Sequence, residues 1–453
     1  MPLKFSLILI GGGHAHVYIL KECGSSRWRS LCQKHDVEVN VILITRDVHT
    51  PYSGMLPGFV AGHYTYEEMH IDLEKLCRSS NVAVHHAEAC RITYDASPLP
   101  SGKVFCRNEG SPLCFDALSI DVGSSPSPIH SSIIDNTKII SVKPISQFCE
   151  FYLRMWESDT TSTPEPQQSS EVEYKNEETE NLKNSLNTDK SPDALEASNP
   201  LQVVIVGGGA GGVELALSVQ YHLQNKMQRS VDMTLVTRGS SLLSEHNVGV
   251  QEKIKRILQQ RKVKVIYDCP VSKAENNFLV SEFQIEADSE TCRKIPFDYC
   301  IFCTTATGAT WLKENTPFPC SDRGFLLIND TFQVIDHPGV FAAGDCCDSI
   351  DHPRPKAGVF AVRAGPPLFT NLKLYIEHYA TVQKRKRPSE SQISTPSLIH
   401  YTPQSNFLGL LSTGDNFAIA SYGSLFSWQG RWVWKWKDRI DRKWMKKYTD
   451  DIL

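Results

Sequence analysis

The sequence predicts an α/β fold in which two doubly wound domains of parallel sheet interleave and a small α+β domain follows them. Two segments carry this prediction, since Leu7–Gly13 and Val203–Gly209 are each a short apolar run ending in three glycines. A further apolar run, Val39–Thr45 or Met233–Thr237, lies about 25 to 30 residues after each group of glycines. Each half therefore has the pattern of a strand, a glycine turn, a helix and a second strand.

The composition of the chain excludes several classes of protein. With 453 residues, 41% hydrophobic and 22% charged, the chain is long enough for about three domains and has an ordinary globular balance. No run approaches the roughly 18 apolar residues of a membrane helix, and Leu7–Ile10 leads directly into glycines, which favours a first strand over a signal peptide. With a net charge of -4, we expect no nucleic-acid partner. The 14 cysteines are irregularly spaced, which indicates reduced thiols and a cytoplasmic location.

Segment 157–200 differs from the rest of the chain. It contains 11 acidic residues against 3 lysines and almost no large apolar side chains. Such a segment cannot bury enough surface to offset its ordering entropy, so we expect a disordered acidic insert. The predicted organisation is a first domain at 1–156, the insert, a second domain at 201–311, a return to the first domain at 312–370 and a C-terminal cap at 371–453.

The second glycine turn has the spacing of a dinucleotide site. Gly207, Gly209 and Gly212 follow a predicted strand and open a helix-compatible stretch. The first glycine permits a tight turn, the second lets the backbone approach a pyrophosphate at the helix N-terminus, and the third allows close packing of the helix.

The first glycine turn repeats this spacing with one departure, since Gly11 and Gly13 are followed by His16 at the third position. Neither second strand ends on the acidic residue that usually binds an adenosine ribose; Arg46 and Arg238 stand there instead. Arg238 is able to pair with a 2'-phosphate, which favours NADPH over NADH. An arginine that only faces solvent is the alternative.

Two later motifs complete a characteristic order. The predicted strand Tyr299–Phe302 leads to a threonine-rich turn ending at Gly308, and a later strand leads to Gly344 and Asp345. With the two glycine turns, these motifs resemble the pyridine nucleotide-disulfide oxidoreductases, flavoproteins with two dinucleotide-binding domains. The resemblance implies Rossmann-like folds that bind FAD in the first domain and NAD(P)H in the second, with Gly123 at the exit of the first.

A narrower resemblance covers most of the chain outside the acidic insert. The segments His49–Gly58, Lys356–Arg363 and Gly430–Arg442 are similar to a flavoprotein subfamily often fused ahead of selenide, water dikinase. More distantly, the chain is similar to type II NADH dehydrogenases and sulfide:quinone reductases. The implied FAD-binding residues are Gly11, Gly13, His16, Arg46, Pro51, Tyr52, Gly123, Gly344, Asp345, Lys356, Gly358 and Val359, and the implied NAD(P)H-binding residues are Gly207, Gly209, Gly212, Arg238 and Gly308.

A disulfide reductase of this fold needs a cysteine pair placed against the flavin. The segment Pro51–Leu56, where the family's longer pair would lie, has no cysteine. Cys300 and Cys303 belong to an apolar run, and the adjacent Cys346 and Cys347 are an unfavourable pair for an unstrained bridge. We therefore expect no dithiol relay, and the histidines and cysteines show no spacing typical of a metal site.

The remaining chemistry is hydride transfer from NAD(P)H to FAD, followed by delivery of electrons to an acceptor that meets the flavin directly. Glu214 matches an acidic position that lies near nicotinamide and flavin in the family, and it is the catalytic candidate; a first-turn glutamate favoured by the helix dipole is the alternative. We expect a quinone or a small selenium or sulfur species as acceptor. A flavin-bound redox sensor or scaffold with little turnover, and a protein that has lost FAD, are the competing hypotheses.

The C-terminal tail has an aromatic stripe flanked by cations. Its apolar members recur every four residues, at Trp428, Trp432, Trp436, Ile440 and Trp444. As a helix this pattern fits peripheral contact with anionic lipid. A helix that packs its tryptophans on the domain core or on the partner in a homodimer is the alternative, and we favour it because the subfamily resemblance extends through this stretch.

Overall fold

The computed structural model describes residues 1–97, 99–126, 138–160, 199–284, 290–304, 306–384, 396–405 and 407–450. Most of the predicted acidic insert, 161–198, lies outside the described residues. Its first four residues end the helix Ile145–Thr160, so this helix continues past the predicted boundary at 156.

The helices alternate with strands along most of the chain. The helices are α1 (His14–Cys23), α2 (Ser26–His35), α3 (Leu56–Val60), α4 (Tyr66–Met69), α5 (Leu73–Ser79), α6 (Ile145–Thr160), α7 (Ala210–Tyr221), α8 (Val248–Gln260), α9 (Thr310–Glu314), α10 (Gly358–Lys384) and α11 (Arg431–Thr449). The strands are β1 (Leu3–Ile10), β2 (Val37–Thr45), β3 (His49–Pro51), β4 (His70–Asp72), β5 (Ala83–His86), β6 (Ala89–Asp95), β7 (Ser101–Cys106), β8 (Leu113–Phe115), β9 (Ala117–Ile120), β10 (Ile139–Ser141), β11 (Leu201–Val206), β12 (Val231–Val236), β13 (Lys264–Ile266), β14 (Val271–Glu275), β15 (Phe278–Gln284), β16 (Glu290–Pro296), β17 (Tyr299–Phe302), β18 (Leu326–Ile328), β19 (Val340–Ala342), β20 (Cys347–Ser349), β21 (Leu408–Ser412), β22 (Ala418–Tyr422) and β23 (Phe426–Gly430).

Two five-stranded parallel sheets organise the molecule. Their strand orders are β19-β9-β1-β2-β5 and β10-β17-β11-β12-β13. The orders correspond position by position, so β1 and β11 are equivalent central strands and a glycine turn follows each. Leu7, Ile8 and Leu9 are fully buried in one hydrophobic core with side chains of α1 and α10. The predicted α/β fold with two Rossmann-like domains is confirmed.

The strand β10 departs from the predicted order of segments. Although Ile139–Ser141 precedes the boundary predicted at 156, it pairs in parallel with Tyr299–Phe302 in the second sheet. The domain boundaries themselves stay a prediction.

The last part of the chain forms an antiparallel sheet, β21-β22-β23, with α11 against it. A small core of Ala418, Ala420 and Val433 joins sheet and helix, in agreement with the predicted α+β character. Trp428 lies in β23, not in the helix, since α11 begins only at Arg431.

Candidate active site

The first glycine turn connects β1 to α1 by a path that only glycine allows. Gly11 has a φ of 89°, and a Cβ atom there would overlap the backbone carbonyl of Asp121. The Gly11 N–H donates to the Ile44 carbonyl at 2.8 Å, and the Gly13 N–H donates to the Asp121 carbonyl at 3.1 Å. The turn is therefore fixed between the ends of β2 and β9.

Asp121 lies directly under the start of α1. Its carboxylate accepts the N–H groups of Ala15 at 3.0 Å and His16 at 3.4 Å. The side chain is buried, and this burial raises the pKa of Asp121 to about 7 against the opposing effect of the two N–H donors. The resemblance marked only Gly123 at this exit from the first domain, and nothing in the sequence indicated that the Asp121 side chain would be part of the site.

His16 replaces the third glycine as an internal support. Its Nδ1 lies 2.7 Å from the Gly11 carbonyl, which can only accept, so Nδ1 carries the proton and donates. Its Nε2 then accepts from the Ser119 hydroxyl at 2.8 Å, and burial lowers the pKa of His16 to about 4, which keeps the ring neutral. Both ring nitrogens are thus bonded within the protein.

A cleft of 580 Å³ opens in front of this turn. Of the predicted FAD-binding residues, it is lined by Gly11, Gly13, Arg46, Pro51, Gly123, Asp345, Lys356 and Gly358. His16, Tyr52, Gly344 and Val359 do not line it, although Tyr52 lies beside the lining residue His14, with ring centroids 5.5 Å apart. His14 Nε2 is buried and has no hydrogen-bond partner among the described residues, so the cleft offers a ligand an unused polar atom.

The second glycine turn, between β11 and α7, repeats the backbone of the first. Gly207 has a φ of 137° and donates its N–H to the Val236 carbonyl at 2.8 Å, and a Cβ atom there would overlap the Cys303 carbonyl. A Cβ atom on Gly212 would overlap the Gly207 carbonyl, which explains the third glycine. In front of Gly209 and Gly211 there is open space within 4 Å, as an approaching pyrophosphate requires.

The second cleft has a volume of 860 Å³ and lies in front of this turn. Gly207, Gly209 and Arg238 line it, whereas Gly212 and Gly308 support it from behind. Arg238 is exposed. Gly308 donates its N–H to the Arg323 carbonyl at 2.9 Å, which fixes the turn after β17.

Two lysines lie where the clefts meet. Lys143 and Lys356 line both clefts. Lys143 Nζ pairs with Asp345 at 2.6 Å, and Lys356 Nζ pairs with Asp348 at 2.6 Å. The sequence predicted Lys356 and Asp345 as cofactor-binding residues. Nothing in the pattern around Lys143 indicated that its side chain would reach Asp345.

Glu214 lies in the second turn of α7, not in the first turn where the helix dipole would favour it, and contacts the C-terminal domain. Its carboxylate accepts the Ser412 N–H at 2.7 Å. Burial raises the pKa of Glu214 to about 7, while nearby Lys437 and the Ser412 N–H oppose the rise and Asp441 adds to it. Such a carboxyl group can hold or release a proton near neutral pH.

The inner face of α11 closes the region behind the first cleft. Lys437 and Asp441 form a buried ion pair at 2.6 Å, and Lys437 also donates to the Gly54 carbonyl. The Tyr52 hydroxyl lies against the Asp441 carboxylate, and the Tyr52 ring stacks on Trp444 with centroids 4.3 Å apart. Sequence reasoning missed this pair, because its spacing of four residues is shared by the many charges of the helix.

The outer face of α11 carries most of the aromatic stripe. Trp432 is 55% exposed, Trp436 38% and Ile440 39%, whereas Trp444 is 9% exposed. Trp428 on β23 is 44% exposed. Of these tryptophans only Trp444 packs on the domain core, so that part of the expectation is wrong for the others, while packing on the partner in a homodimer stays a prediction. Among the described helices, none is long and apolar enough to span a membrane.

The thiols near the clefts are occupied by backbone contacts. Cys346 Sγ donates to the Ala343 carbonyl at 3.1 Å, and Cys347 Sγ donates to the Gly344 carbonyl at 3.5 Å. Cys300 is buried in β17, while Cys303 lines the second cleft. Burial raises the pKa of Cys303, and a hydrogen bond with Cys347 together with burial raises the pKa of Cys346, which disfavours both thiolates.

One group of described residues could hold a metal ion. Ligand atoms of His85, Cys106 and Glu109 lie within 4.8 Å of one another. His85 Nε2 and the Glu109 carboxylate are already 2.7 Å apart as a hydrogen-bonded pair, so they have a bonding arrangement without an ion. The expected lack of a metal site stays a prediction.

Comparison with known proteins assigns the overall family. A family model described as pyridine nucleotide-disulphide oxidoreductase matches residues 5–365. That family binds FAD and NAD(P)H, and the two clefts with their glycine turns provide for both cofactors. The structure is similar to the sulfide:quinone oxidoreductase of Aquifex aeolicus, with a TM-score of 0.67, 15% identity, and coverage of 98% of this chain and 92% of that chain.

Curated relatives match over shorter stretches. A probable mitochondrial NADH-ubiquinone oxidoreductase of Schizosaccharomyces pombe is 22% identical over 46% of this chain and 38% of its own length. Human ferroptosis suppressor protein 1 is 25% identical over 32% of this chain and 39% of its own length. The matches thus span about two fifths of these relatives.

Proposed function

Because the chain belongs to the pyridine nucleotide-disulphide oxidoreductase family, we propose that it passes electrons from NAD(P)H through FAD to a quinone at a membrane surface. The observation that carries the choice of acceptor is the position of α11. Its inner face reaches Tyr52 beside the first cleft, and its outer face exposes Trp432 and Trp436. One helix therefore connects the predicted flavin site with a surface suited to lipid.

The residues at the junction of the clefts give the chain its part in hydride transfer. FAD, when bound, accepts a hydride from NAD(P)H and passes electrons on. Lys143 and Lys356 place their ammonium groups where the clefts meet, each beside an aspartate, and are proposed to donate hydrogen bonds that stabilise a reduced flavin. Glu214 is proposed to hold a proton on the nicotinamide side, because its pKa of about 7 lets it change charge near neutral pH.

Electrons are proposed to leave without a dithiol relay. The residues that line the first cleft include no cysteine within the described part of the chain. Cys346 and Cys347 lie next to Asp345, but their sulfur atoms face backbone carbonyls and the pKa of Cys346 is raised. An acceptor that meets the flavin directly, such as a quinone, satisfies this arrangement.

The outer surface of α11 and β23 is proposed to dock on anionic lipid. Leu425 is 83% exposed and Phe426 56% exposed beside the tryptophans. Six basic side chains on the exposed part of the helix form no ion pair with described residues, and they are Arg431, Lys435, Arg439, Lys443, Lys446 and Lys447. An apolar stripe flanked by unpaired cations matches the chemistry of a headgroup boundary with negative charge.

An anaerobic titration tests the redox proposal. We expect NADPH or NADH to bleach a flavin band at about 450 nm, and a short ubiquinone to restore it. Recovery of the band with selenite or a persulfide but not with quinone would show that the acceptor is a selenium or sulfur species. A flavin that stays reduced with every acceptor would instead support a sensor.

Vesicle binding tests the docking proposal. The double variant Trp432→Ser/Trp436→Ser is expected to bind phosphatidylserine-containing vesicles at least about tenfold more weakly, because two exposed indoles no longer enter the interface. Ile350→Ser, a substitution at an apolar side chain that is 52% exposed, is the matched control and should bind normally. Retained activity with water-soluble quinone would show that the double variant is intact; equal vesicle binding by all three proteins would contradict the proposal.

We further propose that the chain is nearest to the subfamily fused ahead of selenide, water dikinase, on the strength of the segments His49–Gly58, Lys356–Arg363 and Gly430–Arg442. A cytoplasmic location, supported by 13 cysteines that form no disulfide, is part of the same proposal. The homodimer stays a prediction.

A further inference from the structure

The carboxylate of Asp121 lies between the two segments that form the predicted FAD site. A Cβ atom on Gly13 of the first turn would overlap it, and so would a Cβ atom on Gly344 of the turn before Asp345. Asp121 is 2% exposed and lines the first cleft. Both glycines thus bring the backbone against one buried acid.

This acid occupies the end of α1 that a pyrophosphate would approach. A helix N-terminus attracts anions through its free N–H groups and its dipole. Two of these groups, on Ala15 and His16, already donate to Asp121 Oδ2. The first glycine turn therefore already faces a carboxylate of the protein before any dinucleotide binds.

The second glycine turn has a neutral group at the position that corresponds to Asp121. The Cys303 N–H donates to the Val206 carbonyl at 2.8 Å, just as the Asp121 N–H donates to the Ile10 carbonyl at 2.8 Å. Because the two backbones correspond, Cys303 is the structural counterpart of Asp121. A thiol with a raised pKa carries no charge there.

The groups that face Asp121 supply little positive charge. His14 and His16 on α1 are kept neutral, since burial lowers the pKa of each to about 4. Asp345, from the turn after β19, is negative but pairs with Lys143 Nζ at 2.6 Å, and the nearby Cys346 thiol has a raised pKa. No described lysine or arginine forms an ion pair with Asp121 itself.

We infer that Asp121 takes up a proton when the pyrophosphate of FAD enters the first cleft, so that FAD binding is coupled to proton binding. This inference rests on the proposed function in requiring FAD at that cleft. Two anions cannot share one buried helix end without a cation between them, and protonation of the carboxyl group removes the repulsion.

The sign of the pH dependence follows from the charges. Burial raises the pKa of Asp121 to about 7 in the protein without ligand, and a neighbouring pyrophosphate raises it further. Above pH 7, ionised Asp121 must gain a proton on binding. The dissociation constant of FAD therefore increases by up to tenfold per pH unit until the pKa of the complex is reached.

Release of FAD from the purified holoenzyme tests this inference. The protein is diluted to nanomolar concentration at pH 6 to 9, and the fluorescence of the freed FAD gives its dissociation constant at each pH. Wild-type protein should lose FAD progressively above pH 7, while Asp121→Asn, which keeps an oxygen for the Ala15 and His16 N–H groups, should retain FAD equally across the range.

The outcomes separate the possibilities. A wild-type dissociation constant that does not change with pH would overturn the inference, even if Asp121→Asn failed to fold. A pH dependence that persists in folded Asp121→Asn would also overturn it. Purified protein without a flavin band, and without FAD uptake on reconstitution, would instead contradict the proposed function.

Discussion

The two glycine turns share one backbone path and differ in the polar groups beneath it. Below the first turn stand His16, whose ring bonds the Gly11 carbonyl, and the Asp121 carboxylate. Below the second turn, Gly212 leaves no room for a side chain and Cys303 stands in place of the acid. The first turn is thus supported by side chains, and the second by close contact of backbone with backbone.

This difference separates what a nucleotide-binding turn requires from what it tolerates. A positive φ at the first glycine is common to both, at 89° for Gly11 and 137° for Gly207. The third position tolerates a large residue if its side chain can replace the lost packing by hydrogen bonds, as His16 does with Gly11 and Ser119. The two turns should therefore respond differently to equivalent substitutions.

The largest effect is expected from Gly212→Ala. The new Cβ atom would overlap the Gly207 carbonyl and force α7 away from the turn, which we expect to weaken NAD(P)H binding by about 100-fold or more. Titration of the flavin-loaded protein with NADPH measures this loss, and FAD content should be unchanged because the first turn is untouched.

Gly209→Ala is the matched control for this substitution. Its Cβ atom would have open space within 4 Å, so the protein should keep its thermal stability and lose only dinucleotide affinity. If both variants unfolded at the same lowered temperature, close backbone packing at Gly212 would not be the special feature of the second turn.

A destabilisation of about 2–4 kcal/mol is expected from His16→Gly, which converts the first turn to the complete glycine spacing. The substitution leaves a cavity and removes the partners of the Gly11 carbonyl and the Ser119 hydroxyl. Denaturant unfolding measures the change, and Ser119→Ala, which removes one of the two bonds, should lie between it and wild type. A stability gain in His16→Gly would mean that histidine is retained there for another reason.

The sequence was sufficient to predict the two glycine turns but not the side chains that lie beneath them. Short apolar runs before glycines are local signals, so β1, β11 and both turns followed from spacing alone. The approach of Asp121 to Gly13, and of Lys437 and Asp441 to Tyr52, depends on contacts between distant segments that no local pattern encodes. The exposed tryptophans of α11 were visible as a stripe, but the face buried against the domain is formed by Val433, Met445 and Tyr448, and of the stripe only Trp444 joins them.

Two carboxyl groups have a pKa of about 7, Asp121 at the first cleft and Glu214 in α7 against the C-terminal domain, and Glu214→Gln separates their contributions to the pH dependence of stability. Since the pKa of Glu214 is higher when folded than in an unfolded chain, the folded state binds more protons between about pH 4.5 and 7, and the free energy of unfolding falls as pH rises. We expect Glu214→Gln to remove about 2 kcal/mol of that fall and leave the part due to Asp121. Denaturant unfolding of the apoprotein at pH 5 and pH 8 measures this fall. If the free energy of unfolding fell equally between the two pH values in variant and wild type, Glu214 would stay ionised throughout.

The smallest effect concerns the arginines that end the second strands. Arg46 is paired with Asp47 through two hydrogen bonds of 3.1 and 3.0 Å, whereas Arg238 is exposed at the second cleft and has no ion pair with described residues. Arg238→Ala is therefore expected to weaken NADPH binding by about tenfold while NADH binding is unchanged, since only NADPH carries the 2'-phosphate. Arg46→Ala serves as the control and should leave both affinities intact. Equal losses for NADPH and NADH in Arg238→Ala would show that the arginine contacts a part common to both dinucleotides, and the preference for NADPH would then need a different origin.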